Sequence, residues 1–170
     1  MRRFAVVIAV SGLLLVACSS KDDPLGLKPI STPLPLVQGA TVQGGTASSA
    51  DLRGQILVVN FWAQWCGPCL QEQPELERTW RSYHDRGVTF LGVDERDDTA
   101  AARAWVDRFG VSYPSVQDPS GKLANGFALV GLPDTFVVDR TGTIRWKIIG
   151  KTSEAQLSSL LDQLLAAGSS

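Results

Sequence analysis

The sequence predicts an α/β domain with a central mixed β-sheet, helices on both faces and an N-terminal β-hairpin extension. Three observations carry that reading. Ile56-Leu57-Val58-Val59-Asn60-Phe61-Trp62 is an almost unbroken apolar run, the pattern of a central strand covered on both faces rather than on one. A stretch of helical spacing and a second apolar run, Val88–Val93, follow it and complete a β-α-β half. Two short β-rich segments around a turn and a final amphipathic stretch then make a β-β-α half.

Taken in order, Leu34–Val37 and Thr41–Gln43, separated by Gly39, read as the small hairpin. The helix after the first apolar run should start near Cys66 and continue to Arg86. Cys69, Leu76, Trp80 and Tyr83 share one of its faces, and Gly87 is placed to cap it. Thr99–Phe109 is a second helix, capped by Asp98 or Thr99, with Trp105 and Phe109 turned inward. A short segment around Tyr113–Gln117 and a helix over Ser120–Phe127 follow. Thr135–Val138 and Thr143–Ile149 form a hairpin across the turn Asp139-Arg140-Thr141-Gly142. Ser153–Ala166 closes the domain, with Ser153 as N-cap and Leu157, Leu160, Leu161, Leu164 and Leu165 on one side.

Composition excludes several classes. The chain has 170 residues, one domain's length, and at 44% hydrophobic and 19% charged it is neither disordered nor collagen-like. Three cysteines and one histidine are too few for a disulfide framework or a closed zinc site. A net charge of −1 with no basic stripe leaves no nucleic-acid footprint.

Residues 1–17 have the form of an export signal. Arg2 and Arg3 precede an apolar run from Phe4 to Val16. Residues 4–17 are too few to span a bilayer, giving about 21 Å of helix at about 1.5 Å per residue against a hydrocarbon core of about 30 Å. Leu15-Val16-Ala17-Cys18 resembles a bacterial lipobox, which implies cleavage before Cys18 and acylation of its thiol. The alternative is a soluble exported protein with a chance cysteine near its cleavage site. Residues 18–35, with Pro24, Pro29, Pro33 and Pro35 among polar residues, read as a tether, and 36–168 as the folded domain.

Chemistry concentrates in Trp65-Cys66-Gly67-Pro68-Cys69, where the buried strand ends and a helix begins. A cysteine at a helix N-terminus faces unpaired N–H groups and the positive end of the dipole, which favour thiolate. Cys66 is therefore the candidate accessible nucleophile, and Cys69, one turn on and inward, the buried resolving thiol. Pro68 suits an early helical position, where a missing N–H costs nothing. The pair can exchange two electrons with a partner through a mixed disulfide, needing no cofactor beyond itself.

Three other readings compete. A zinc half-site would need ligands that only Cys18 and His84 could supply. A static disulfide across three residues would close too small a loop to stabilise much. A peroxidatic cysteine would have Pro and Thr or Ser seven and three residues before it. Cys66 has Val59 and Ala63 there, and Cys69 has Trp62 and Cys66.

Asn60-Phe61-Trp62-Ala63-Gln64-Trp65-Cys66-Gly67-Pro68-Cys69, then Glu72 and Pro74, and later Gly131-Leu132-Pro133-Asp134-Thr135-Phe136, resemble the thioredoxin fold. More narrowly they resemble the extracytoplasmic TlpA/ResA-like thiol-disulfide oxidoreductases, over residues 36–166. The resemblance implies a cis Leu132–Pro133 peptide facing the dithiol, with the Leu132 backbone pairing to an extended partner segment. It implies that Glu72, three residues beyond Cys69, influences cysteine acidity and takes up the Cys69 proton, against the rival reading of a solvated helix glutamate. Asn60 stands where cytosolic thioredoxins carry a buried Asp, and Asn cannot accept that proton. Trp65 borders the site, while Trp62, Trp80, Trp105 and Trp146 read as packing, Pro74 as structural and His84 as a surface group.

The same resemblance implies partners. Gly-Pro between the cysteines matches thioredoxin, at about −270 mV, rather than the oxidant DsbA, at about −120 mV. A reductase outside the membrane needs a donor within it, here a thiol transporter of the CcdA type. The implied acceptor is the Cys-x-x-Cys-His site of apocytochrome c. An extracytoplasmic dithiol oxidase and a non-catalytic adaptor are the alternatives. The acidic run Asp94-Glu95-Arg96-Asp97-Asp98 reads as a solvated loop or a contact for a basic partner.

Overall fold

The unbroken apolar run is the centre of the molecule. In the computed structural model, which describes residues 27–168, strand β4 (Ile56–Trp62) has every residue buried. Ile56, Val58 and Trp62 face one hydrophobic core, and Leu57, Val59 and Phe61 face another across the sheet. β4 pairs in parallel with β5 (Val88–Glu95), from Ile56 opposite Val88 to Trp62 opposite Asp94. On its other side it pairs antiparallel with β7 (Asp134–Val138). With β1 (Leu27–Pro33), β6 (Ser115–Asp118) and β8 (Thr143–Ile149), the sheet has six strands in the order β1-β8-β7-β4-β5-β6.

Among the described residues four α-helices complete the fold: α1 (Gly67–Tyr83), α2 (Thr99–Phe109), α3 (Lys122–Gly126) and α4 (Glu154–Ala167). The crossovers β4-α1-β5 and β5-α2-β6 step the same way along the sheet. Right-handed crossovers that advance in one direction leave both helices on one face. Buried residues of α1, α2 and α4 accordingly share one core. The short α3 covers the other face, where Phe61, Phe127 and Phe136 meet with ring centroids 4.9 to 5.9 Å apart.

Element boundaries follow local chemistry. α2 is capped by Asp98, whose carboxylate accepts from the N–H groups of Ala100 and Ala101. α1 ends at Tyr83, and a 3-10 turn over His84–Arg86 carries the chain to left-handed Gly87 at φ 78°. Ser153 caps α4 as its sequence position suggests.

Two N-terminal expectations need correction. The hairpin pairs β2 (Gln38–Ala40) with β3 (Thr46–Ser48), not Leu34–Val37 with Thr41–Gln43. Its turn carries left-handed Gly44 and Gly45, at φ 99° and 82°. Gly39 serves a different need, because a Cβ there would lie 3.0 Å from Val116 Cγ1. The tether expected over 18–35 is also too long. Leu27–Pro33 forms β1, antiparallel to β8 at the sheet edge, with Leu27 and Ile30 half-buried. Proline is tolerated there because an edge strand need not donate from every N–H. Residues 1–26, on which the expected export signal and the expected acylation of Cys18 fall, lie outside the described residues.

The approach of β5 to its neighbours tests this packing. A Cβ on Gly92 would lie 2.9 Å from Trp62 Nε1 and closer still to Ser115 Oγ. Gly92→Ala is expected to destabilise the domain by about 1–3 kcal/mol in urea unfolding, the usual cost of overpacking. Gly126→Ala, with open space around it, should leave the midpoint unchanged or slightly raised.

Candidate active site

The end of β4 delivers the dithiol. Trp62 and Ala63 are buried, and the chain then surfaces through Gln64 and Trp65. The Gln64 N–H donates to Asp97 Oδ2 at 2.6 Å, and the Cys66 N–H to the Ala63 carbonyl at 3.1 Å, so the turn is held at both ends. Cys66 is the N-cap of α1, and its Sγ accepts from the Cys69 N–H at 3.2 Å. Gly67 leaves the cap open, with nothing within 4 Å of a built Cβ, and Pro68 occupies the first turn without a donor to waste. Cys66 and Cys69 are joined as a disulfide.

The anticipated contrast in access is absent from this oxidised form. Cys66 is 4% exposed and Cys69 1%. The disulfide holds Cys66 Sγ against the first turn of α1, where it accepts from the Cys69 N–H, and both cysteines pack into the core of that face. Its asymmetry is electrostatic, since Cys66 holds the capping position.

Glu72, one turn beyond Cys69, is 1% exposed, not a solvated helix residue. Oε1 accepts from Asn60 Nδ2 at 2.9 Å and Oε2 from the Thr152 N–H at 2.9 Å. Burial pushes its pKa up to about 7, against the lowering effect of Thr152, Asn60 and Lys151. Asn60 also donates to Thr135 Oγ1 at 3.0 Å, while its Oδ1 is buried and unpartnered. Thr135 and Thr152 were invisible as site residues in the sequence, because strand pairing and the β8–α4 connection bring them here.

Leu132–Pro133 is cis, as the resemblance implied. Asp134 pairs with Phe61, so Pro133 lies just beyond the ladder at the end of β4 that carries the dithiol. The Gly150 N–H donates to the Pro133 carbonyl at 2.9 Å, while Leu132 precedes the strand and is half-buried. Leu132 lines a cleft of about 340 Å³ with Trp65, Arg96, Leu129 and Val130. Trp65 is 57% exposed at its rim. Trp62 stacks on Trp105 in the core, centroids 5.1 Å apart, which is packing. His84 is a surface group whose Nδ1 meets the Arg81 carbonyl at 3.0 Å.

The acidic run is not one solvated patch. Asp94 is 1% exposed and Glu95 8%, because β5 continues through both. Glu95 pairs with Arg96 at 3.1 Å. Burial, reinforced by Asp97 and then Glu95, pushes the Asp94 pKa up to about 8. Asp134 is fully buried, pairs with Lys147 at 3.0 Å, and is also raised by burial despite that lysine. Strand-end position is the signal that could have separated Asp94 from Asp97 and Asp98.

A dithiol at the N-terminus of a helix that leaves the centre of a mixed sheet, opposite a proline loop, defines a thioredoxin-fold thiol-disulfide oxidoreductase. Residues 30–147 match the AhpC/TSA family model, and the chain belongs to that family. It is 35% identical over 162 residues to the thiol:disulfide interchange protein DsbE of Pseudomonas fluorescens biotype C, covering 91% of this chain and 89% of the relative. It is 28% identical over 123 residues to the thiol-disulfide oxidoreductase ResA of Bacillus thuringiensis strain Al Hakam, covering 72% and 71%. The crystal structure of a thiol:disulfide interchange protein of the thioredoxin family from Chlorobium tepidum TLS superposes with a TM-score of 0.73 at 30% identity, over 81% of this chain and 99% of that one. Within the family the chain is thus of the DsbE/ResA type.

The raised carboxyls fix the sign of a pH effect. Glu72 rises from 4.5 to about 7 and Asp94 from 3.8 to about 8. The folded state keeps protons that the unfolded state releases. Their contribution is therefore complete below the unfolded values and is lost as pH rises through the folded ones. The thermal midpoint of the oxidised protein should fall between about pH 5 and about pH 8, and Asp94→Asn should flatten that fall. Melting curves that rise over this range would contradict the assignment.

Proposed function

We propose that this chain is an exported, membrane-tethered thiol-disulfide reductase acting through Cys66 and Cys69. The observation that carries the reading is Cys66 Sγ held at the N-terminus of α1, with Cys69 buried one turn on and Glu72 buried one turn beyond that.

In the reduced protein the Cys69 N–H and the helix dipole stabilise the Cys66 thiolate. The thiolate attacks one sulfur of a partner disulfide. That S–S bond breaks, the partner's other sulfur leaves as thiolate, and a mixed disulfide forms with Cys66. Cys69 then loses its proton and attacks Cys66 Sγ, expelling the partner's second thiolate and closing the Cys66–Cys69 disulfide. Two electrons pass to the partner, whose sulfurs take up the protons that the two cysteines gave up. Glu72, one turn beyond Cys69 and with a pKa near neutrality, is placed to receive the Cys69 proton. Asn60 and the Thr152 N–H orient that carboxyl. Half-buried Leu132, beside Trp65 in the cleft, is placed to receive an extended partner segment by backbone pairing.

Similarity to DsbE and ResA supports a Cys-x-x-Cys-His site of apocytochrome c as the substrate and a membrane thiol transporter of the CcdA type as the donor. The lipobox supports an acyl anchor on Cys18, with residues 1–17 removed and the domain on the extracytoplasmic face of a bacterial membrane.

Cys69→Ser should accumulate the mixed disulfide on Cys66, visible as a thiol-sensitive adduct by mass spectrometry, and Cys66→Ser should abolish exchange. Glu72→Gln should slow the resolving step by about a hundredfold and remove an inflection near neutral pH from its rate profile. An unchanged profile would remove Glu72 from the proton path. Acid-quenched cells should show the pair mostly reduced; a pair that stays oxidised when cytochrome assembly is idle would make the protein an oxidase.

A further inference from the structure

One row of paired residues crosses the whole sheet at the level of Asn60. Leu27 pairs with Ile148, Ile148 with Thr135, Thr135 with Asn60, Asn60 with Gly92 and Gly92 with Ser115. Leu27 is the first residue of β1, and from it the strand runs away from the dithiol, ending with Pro33 opposite Thr143. The chain therefore enters the domain at the end of the sheet that carries Cys66 and Pro133. Three strand spacings put Leu27 about 14 Å to the side of Asn60, and the far end of β1 about 20 Å further along the strand.

Residues 19–26 separate Leu27 from Cys18. A chain of that length reaches at most about 30 Å and averages about 17 Å end to end if flexible. An anchor at Cys18 would thus hold the dithiol end on a shorter leash than the opposite end. The surface there suits a meeting with protein. Trp65 and Val130, 57% and 76% exposed, lie beside Leu132, whereas Leu36, the other large exposed apolar side chain among the described residues, lines a depression at the other end with Pro33, Gly54 and Gly142. Lys28 is exposed on the edge that the leash reaches, with a charge that suits an anionic bilayer; Lys151 is exposed beside Gln71 of α1, and Asp98 is exposed further across the same end of the sheet.

We propose that the anchor on Cys18 turns the dithiol end toward the bilayer, so that the Cys66–Cys69 disulfide faces the membrane surface at which the membrane-embedded donor named above presents its dithiol. The inference rests on the acyl-anchor reading above. Confinement raises the partner's effective concentration, a gain that falls roughly as the −3/2 power of leash length.

The test uses the full chain made with its own signal in a bacterial host. Mass spectrometry of the mature N-terminus first reports whether Cys18 carries acyl chains. A fluorescent amino acid is then placed at Gln64 or at Arg53, which lies at the far end just before β4, in protein bound to vesicles with labelled headgroups. Transfer should be at least twofold stronger from Gln64. Inserting 30 Gly/Ser residues after Gly26 should slow recovery of the reduced pair after a pulse of diamide in cells by about tenfold. The detergent-solubilised protein with that insertion should reduce insulin at an unchanged rate. Acylated protein with equal or reversed transfer, or with recovery indifferent to the insertion, would overturn the orientation while leaving the anchor standing. A mature protein without acyl chains on Cys18 would overturn the anchor reading and this proposal with it.

Discussion

The arrangement depends on a carboxyl group held where a carboxylate would be costly. Glu72 is buried among α1, β4 and the β8–α4 connection, and its hydrogen bonds to Asn60 and Thr152 link all three. Because Asn60 also bonds Thr135, the same group registers α1 against two strands of the sheet. Burying a charge without a partner is expensive, so the group answers by holding its proton to about neutrality. α1 cannot slide or rotate without breaking these bonds, and the dithiol is the first turn of α1.

This constraint matters because thiol exchange moves negative charge into the site. A thiolate at Cys66 is stabilised by the helix end, and an ionised carboxylate next to it would oppose that effect. Glu72, Asp94 and Asp134 are all raised by burial, so three acidic side chains around the end of β4 resist adding negative charge. Lys147 answers Asp134 directly at 3.0 Å, whereas Glu72 has only neutral hydrogen-bond donors. The proton that Glu72 holds can therefore move without breaking a salt bridge.

Much of this was legible in the chain. The buried strand, the crossover helices, the C-terminal hairpin and the dithiol at a helix start all follow from periodicity and from a motif with a physical reason for its position. The misreadings have specific causes. β1 looked like a tether because edge strands bury few side chains and accept proline. Gly39 resembles a turn residue in the sequence but serves close contact with Val116, and the hairpin turns at Gly44 and Gly45 instead. Asp94 and Glu95 passed for part of a solvated loop because charge is a poor guide to burial at the end of a central strand.

Sequence alone determined the chemistry: two cysteines three residues apart at a strand-to-helix junction are competent for exchange wherever the rest of the chain goes, because helix-end electrostatics are local. Tertiary structure alone decided which distant groups attend them. Thr135, Thr152 and the cis Leu132–Pro133 bond reach the site through pairings of residues far apart in sequence. The tightness with which the disulfide is covered is likewise a property of packing. Long-range contacts of this kind leave no periodic trace in a single sequence, since each residue's local pattern is satisfied whether or not its partner is present.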